Sequence, residues 1–567
     1  MVSMKPRRLP GVPALTARVA KAAFARPTLA MRIRDELGEL FNDERFAAAF
    51  ATRGRPGLSP GQLALVTALQ FACDLTDRQA GEAVRARIDW KYCLGLELDN
   101  PGFDFSVLSE FRARLVEHDL VELVLDVLLD RLVERGLIKA GGKQRTDSTH
   151  VISAVRDLDR IELAGESVRA CLEALAVAAP QWLADTIDVP GWVQRYPIRT
   201  VSWRLPRSKT KRAQLAIDYG RDGFELLAAV LGSGAPPWLV SLPAVQMLRT
   251  VLLQNYVRIT GADGGAEVRH RQADVDGLPP GRTRLASPYD LDVRWSKKER
   301  GAVIWNGYKF HLSETCDLPG GGPNLITNVA TTASTVPDQA MTTPIHQALA
   351  ARGLLPAEHY VDSGYASAAL LASSRREFGV TLVTPLMTNN SAQARAGAGY
   401  DLTRFTIDFD ARQATCPAGQ TSVGWYPARN RGAETINVKF DGATCHACPV
   451  VQHCSPASTT LGRYGRQLGI LPREAYQAQA AARAEQTSDG WQARYARRSG
   501  VEGSIHQAVA VTGTRHARYR GIAKTHLEHV FTAVALNLIR LDAHWSGRAP
   551  DRTRTSQLER LAYTLAA

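Results

Sequence analysis

From about residue 15 to residue 137, apolar residues recur at helical spacing. The segment "LSPGQLALVTALQFACDLTDRQAGEAVRARIDW" offers Ser59 as an N-cap with Pro60 at the first helical position, and "TDRQ" (76–79) is a capping-box pattern. "FSVLSEFRARLVEHD" and residues 119–136 add further helices, the last closed by Gly136. Compact helix pairs of this kind either bind DNA or serve only to pack and dimerise. After Gly141-Gly142 the period changes. "KQRTDSTHVISAV" (143–155) is β-prone, and it carries Asp147 where a strand disfavours a carboxylate. Either Asp147 faces water at a sheet edge, or a rigid strand holds it to bind a cation.

Residues 155–260 read as mostly helical, beginning "RDLDRIELAGESVRACLEALAVA" and passing through Trp182, Trp192 and Trp203. A Gly/Pro/charge-rich linker follows at 261–288. "AVIWNGYKFHLSET" (302–315) alternates as a strand, with Tyr308, Phe310 and Leu312 on one face and Lys309, His311 and Ser313 on the other. Residues 323–332 predict another strand and 338–353 a helix ending at glycine. Residues 358–386 read strand, tight turn, helix, strand, an α/β unit. Asp362, in "YVDSGY", falls at the C-terminal end of that first strand, where open α/β sheets hold ligands, although a helix-capping Asp fits equally. In "RYARRSGVEGSIHQAV" (494–509), Tyr495, Arg498 and Glu502 are spaced to share one helical face. Such a face is commonly just solvated. Here, however, Glu502 is the single acid among six arginines between 491 and 520, which suits a metal ligand facing phosphates.

With 567 residues, two or more domains are expected. The net charge of +13 points toward a polyanionic partner, most simply nucleic acid. The basic start "MVSMKPRRLPGVPAL" lacks the apolar core of a signal peptide. The most apolar helix, 119–136, carries Glu122, Asp126 and Asp130, so it packs rather than spans a membrane, and a cytoplasmic protein is expected. Four of the eight cysteines are scattered; Cys416, Cys445, Cys448 and Cys454 cluster. A CxxC pair with two more cysteines fits a four-coordinate structural Zn²⁺, with His446 and His453 as alternates; a reduced, metal-free cluster is the other reading.

Taken in order, "TDSTHV", "GYKFHLSET", "YVDSGY" and "YARRSGVEG" resemble DDE transposases of bacterial insertion sequences, in particular the branch with a Y-x2-R-x3-E signature. "LSPGQL" and "FSVLSEFRARL" resemble the amino-terminal domain of the same elements. The resemblance covers most of the chain. It implies an α/β catalytic core, an RNase H-like mixed sheet flanked by helices, over 141–567. That core would be interrupted by a helical insertion (155–285) and a cysteine-rich module (400–460), and preceded by an all-α, DNA-binding domain (1–140). It also implies that Asp147, Asp362 and Glu502 hold Mg²⁺ (or Mn²⁺), whose preference for hard oxygen ligands suits carboxylates. Tyr495, Arg498, Lys309 and His311 are expected to contact DNA. The usual lysine seven residues after the glutamate is Val509 here, so His506 or Arg515 would take over its phosphate contact. The expected partner is double-stranded DNA, bound by a homodimer, with no small-molecule substrate. A nuclease without strand transfer and a decayed DNA-binding regulator are the rival functions.

Overall fold

The computed structural model describes residues 2–196, 205–260, 266–298, 303–316, 321–430, 432–455 and 464–547. Trp203, residues 261–265 of the linker and residues 456–463 beside the cysteine cluster lie outside them. Six strands build the central sheet: β1 (Lys143–Ile152), β2 (Arg294–Lys298), β3 (Val303–Cys316), β4 (Ile326–Ala333), β5 (Glu358–Tyr360) and β6 (Thr381–Val383). Their order is β6-β5-β1-β3-β2, with β4 also paired to β3. β1, β2 and β4 each run antiparallel to β3, whereas β5 and β6 run parallel to β1 and to each other. β3 is long enough to serve two partners on one edge, β2 along Val303–Gly307 and β4 along Tyr308–Glu314. The result is a mixed α/β sheet flanked by helices.

Alternation in β3 is real, but its polar face is not wet. Tyr308, Phe310 and Leu312 are fully buried, and so, within 8%, are Lys309, His311 and Ser313. The reason is that helices cover both faces. On the apolar side Phe310 stacks on His529, with ring centroids 4.3 Å apart. On the polar side His311 meets the Tyr365 hydroxyl at 2.6 Å and Thr332 Oγ1 at 3.1 Å, while Lys309 donates to Asp338 Oδ1 at 2.9 Å.

The N-terminal helices form as their caps direct. In α1 (Pro60–Ala72) Ser59 accepts the Gln62 N–H, and the Thr76–Gln79 capping box is reciprocal. These helices share one continuous core with the sheet, through two helices late in the chain, α2 (Gly500–Thr512) and α3 (Ile522–Trp545). α3 is buried along most of its length, with Leu527, Val530, Phe531, Val534, Leu538 and Leu541 at 0–1% exposure. Each such side chain contributes about 2 kcal/mol by leaving water. Phe531 stacks on Phe71 of α1. Two further cores stand apart: one among the helices of 160–255, holding Leu175, Leu226, Leu248 and Tyr256, and one in the cysteine region, holding Phe405, Val438, Phe440 and Leu468. Part of the expected linker is structured. Ala266–His270 pairs with Tyr256–Thr260 as a hairpin, and Val268 enters the helical core.

Burial sets up one pH-dependent contact in α3. Glu528 is wholly buried; Oε2 accepts the Arg518 N–H at 2.8 Å, while Oε1 has no partner among the described residues. Desolvation pushes its carboxyl up from 4.5 to about 8. The folded chain therefore binds more protons than the unfolded chain between those values, and stability falls as pH rises through that window. Glu528→Gln is expected to flatten this slope and to raise the unfolding midpoint at pH 8, as followed by denaturation at pH 5, 6.5 and 8. An unchanged slope would show that Glu528 is not its source.

Candidate active site

Asp147 lies mid-strand in β1, opposite Leu312 of β3. Residues on one face of a strand alternate, so Arg145, Asp147 and Thr149 share a side, and α2 packs against this strand. Arg498 reaches over from the 3₁₀ turn Ala496–Ser499 that leads into α2. It donates through Nη2 to Asp147 Oδ2 and through Nη1 to Glu502 Oε1, each at 2.7 Å. One guanidinium thus ties a strand residue to a helix residue hundreds of positions later. Arg498 Nε is buried with no hydrogen-bond partner among the described residues.

Asp362 follows β5, and its Oδ1 accepts the Gly364 N–H at 2.9 Å in a local turn. The next helix, Ala368–Phe378, is capped by Ser367 instead, which leaves Asp362 free of the capping role. Asp362 lies near enough to Asp147 for the two charges to interact. Burial pushes the Asp147 carboxyl up to about 6; Arg498 and the Ser148 N–H oppose the rise, Asp362 adds to it, and Lys298 lowers it. Arg498 in turn senses Asp147, Asp362 and Glu502 together, and its pKa is raised despite burial. Glu502 itself is mostly exposed, its side chain 62% accessible.

The geometry sorts the other expected contacts. Tyr495 stacks on Trp491 at 4.9 Å and donates its hydroxyl to the Val361 carbonyl at 3.3 Å, so it braces the strand end that carries Asp362. His506 is exposed one turn beyond Glu502, and Val509 is half-buried. Arg515 docks on the far end of β1, donating to Thr149 Oγ1 and the His150 carbonyl. Lys309 and His311 are buried, Lys309 bonded to Val336 and Asp338 and His311 to Tyr365 and Thr332.

A buried charge network escaped the sequence reading. Arg145 pairs with Glu314, its cross-strand neighbour, and donates Nη1 to the Arg497 carbonyl at 2.8 Å. Glu314, with no exposure, also accepts from Arg540 Nη1 at 2.7 Å and Ser504 Oγ at 2.5 Å. A Cβ at Gly500 would sit 2.0 Å from Arg145 Nη1, so a side chain there would displace the guanidinium from this network. The signal was present in the sequence: Arg145 is two residues before Asp147, hence on the same strand face.

In the cysteine region, Cys416, Cys445, Cys448 and Cys454 line one cavity of about 240 Å³ with Arg466 and Asp441. The Gln420 N–H points at Cys416 Sγ and the Arg466 N–H at Cys445 Sγ, each at 3.4 Å. Burial raises the Cys454 thiol, Arg466 lowers it, and the other three cysteines raise it. Gly465 again has no room for a side chain, a Cβ falling 2.4 Å from Cys445 Sγ. Among the described residues, neither the carboxylates nor the cysteines draw three His, Cys, Asp or Glu side chains together closely enough to hold a metal ion. The Arg498 guanidinium lies between Asp147 and Glu502.

Two family models match the chain. "Transposase DDE domain" matches residues 415–542, and "Transposase domain (DUF772)" matches residues 25–114. The chain is an insertion-sequence DDE transposase. No curated protein and no solved structure matches it. The DDE match takes in Tyr495, Arg498, Glu502 and the four clustered cysteines, whereas Asp147 and Asp362 precede it. The DDE transposase is a metal-dependent enzyme of DNA cleavage and strand transfer, so DNA is its partner and a divalent metal its cofactor. Among the described residues, no helix of the transposase is long and apolar enough to cross a membrane.

Proposed function

We propose that the transposase binds the inverted-repeat ends of its own insertion sequence, cuts them at a site built from Asp147, Asp362 and Glu502, and joins them to target DNA in the cytoplasm. The observation that carries this reading is the shared guanidinium of Arg498, which links Asp147 to Glu502 at 2.7 Å each while Asp362 raises the Asp147 carboxyl. Three carboxylates supply hard oxygen donors, and a half-buried Asp147 pushed up to about 6 is a carboxylate that a cation would stabilise. The three acids would hold the divalent metal, whose chemistry in phosphodiester transfer is activation of the attacking oxygen and stabilisation of the leaving one. Arg498 neutralises the acids and presents a fork suited to phosphate, Tyr495 positions the Asp362 strand end, and exposed His506 extends the surface toward DNA.

An RNase H-like core is supported by the order β4-β3-β1-β5-β6, three antiparallel strands followed by two parallel ones. We assign residues 1–140 as the DNA-binding domain and 141–567 as the catalytic domain, with 155–285 and 400–460 as insertions. The enzyme would act as a homodimer on paired ends.

Incubating the purified protein with duplex DNA carrying the gene's own flanks, with Mg²⁺ and with EDTA, tests the function. Strand-joined product dependent on Mg²⁺ is expected. Cleavage without joining would identify a nuclease, and binding without cleavage a decayed regulator.

The cysteines would hold a structural Zn²⁺, for which the two backbone N–H groups aimed at sulfur and the shared cavity are the support. Cys448→Ser is expected to lower both zinc content and thermal stability, while the protein that remains folded still cleaves. Elemental analysis of chelator-free wild-type protein that finds no zinc would remove this assignment.

A further inference from the structure

The outer end of β1 carries a second concentration of charge, about 10 Å along the strand from Asp147 at the usual rise per residue. The loop after α2 docks there as an added bridge: the Ile152 N–H donates to the Arg515 carbonyl at 2.9 Å, and the Ala517 N–H to the Ile152 carbonyl at 2.8 Å. This fixes Arg515 against the strand. Among the described residues its guanidinium makes three hydrogen bonds, all from Nη1, to Thr149 Oγ1, His150 Nδ1 and the His150 carbonyl, between 2.8 and 2.9 Å. Every one of these acceptors is neutral. The Nε/Nη2 edge of the guanidinium takes part in none of them, and that edge is the fork that matches two phosphate oxygens.

Beside this arginine, the groups whose charge bears on His150 are basic. Burial, then Arg515, Lys298 and His516, push the His150 imidazole down to about 4. Lys298, at the end of β2, also lies near enough to Asp147 to lower it. His516 is exposed, while Arg515 and Lys298 are partly covered. His150 is itself seated on Trp305, ring centroids 5.3 Å apart. Partly covered Arg515 and Lys298 give up some of their hydration, and an arriving anion offsets that cost.

We propose that Arg515, Lys298 and His516, gathered around His150, form an anion subsite for a phosphate of the same DNA strand that Asp147 engages, so that the strand runs along β1 past both. The subsite rests on the transposase reading, and it assigns Lys298, His150 and His516 a part that the signature residues do not cover.

The test is binding of a labelled 30-base-pair duplex carrying the gene's own flank, by fluorescence anisotropy between 50 and 200 mM NaCl. Each phosphate contact contributes about 0.9 to the slope of log K against log salt. Lys298→Gln and Arg515→Gln are each expected to reduce that slope by about 0.9 and to weaken binding several-fold at 50 mM salt. Arg515→Lys keeps the charge and should keep the slope. The Lys298 side chain makes no hydrogen bond with another described residue, so its variant should fold even if Arg515→Gln does not. Wild-type slope and affinity in Lys298→Gln would overturn the subsite while leaving the transposase reading standing. A wild-type protein that fails to bind the duplex at 50 mM salt would remove both.

Discussion

Asp147→Asn, Asp362→Asn and Glu502→Gln are each expected to lower DNA cleavage by on the order of a thousandfold or more, because removing one of the proposed metal ligands would forfeit several kcal/mol of transition-state stabilisation. DNA affinity should change little, since it rests on many separate basic contacts. The amide variants preserve shape: an asparagine at 147 keeps one acceptor oxygen, for the Ser148 N–H or for Arg498 Nη2, and gives up the other contact, so the fold should survive. A pH dependence accompanies this prediction. With the Asp147 carboxyl pushed up to about 6, its protonated form dominates below that value and cannot serve as a cation ligand. Cleavage should therefore fall as pH drops through about 6, and added divalent metal should shift the fall to lower pH. Near-wild-type cleavage by any one of the three variants would take that residue out of the site.

Much of this arrangement was legible before any coordinates. A strand around Asp147, a strand end before Asp362 and a helix bearing Glu502 follow from local period and from Gly141-Gly142, "DSGY" and the Tyr495–Arg498–Glu502 spacing. The ambiguity at Asp362 was resolved by a neighbour, since Ser367 supplies the helix cap. Lys309 and His311 are buried for a physical reason. Alternation distinguishes two faces of a strand but cannot say that the polar one meets water; here Tyr365, Thr332 and Asp338 meet it. The hairpin of 266–270 was hidden by composition, because turn-forming residues around it outweigh five residues of strand. Pairings across long separations, such as Arg145 with Glu314, depend on the register of β1 against β3, which no local pattern fixes.

That last pairing carries the largest expected effect on stability. Glu314 has no exposure, and its carboxylate receives Arg145, Arg540 and Ser504 from a strand and two helices. Glu314→Ala would leave two guanidiniums with side-chain exposures of 10% and 13% facing an uncompensated cavity. Removing one partner of a buried charge pair costs about 3–5 kcal/mol, and chemical denaturation should register a loss of that order. The same network adjoins the proposed site, since Arg145 grips the Arg497 carbonyl beside Arg498 and Ser504 lies two residues after Glu502 on α2. Glu314→Gln keeps the volume and one acceptor oxygen while losing the charge, so it should fold better than the alanine variant. It is nevertheless expected to cleave more slowly through kcat, with DNA affinity unchanged, because α2 would no longer be held in register with β1. A Gln variant that is destabilised yet cleaves at the wild-type kcat would mean that Glu314 supports the core alone, and that Asp147 and Glu502 are aligned by Arg498 without its help.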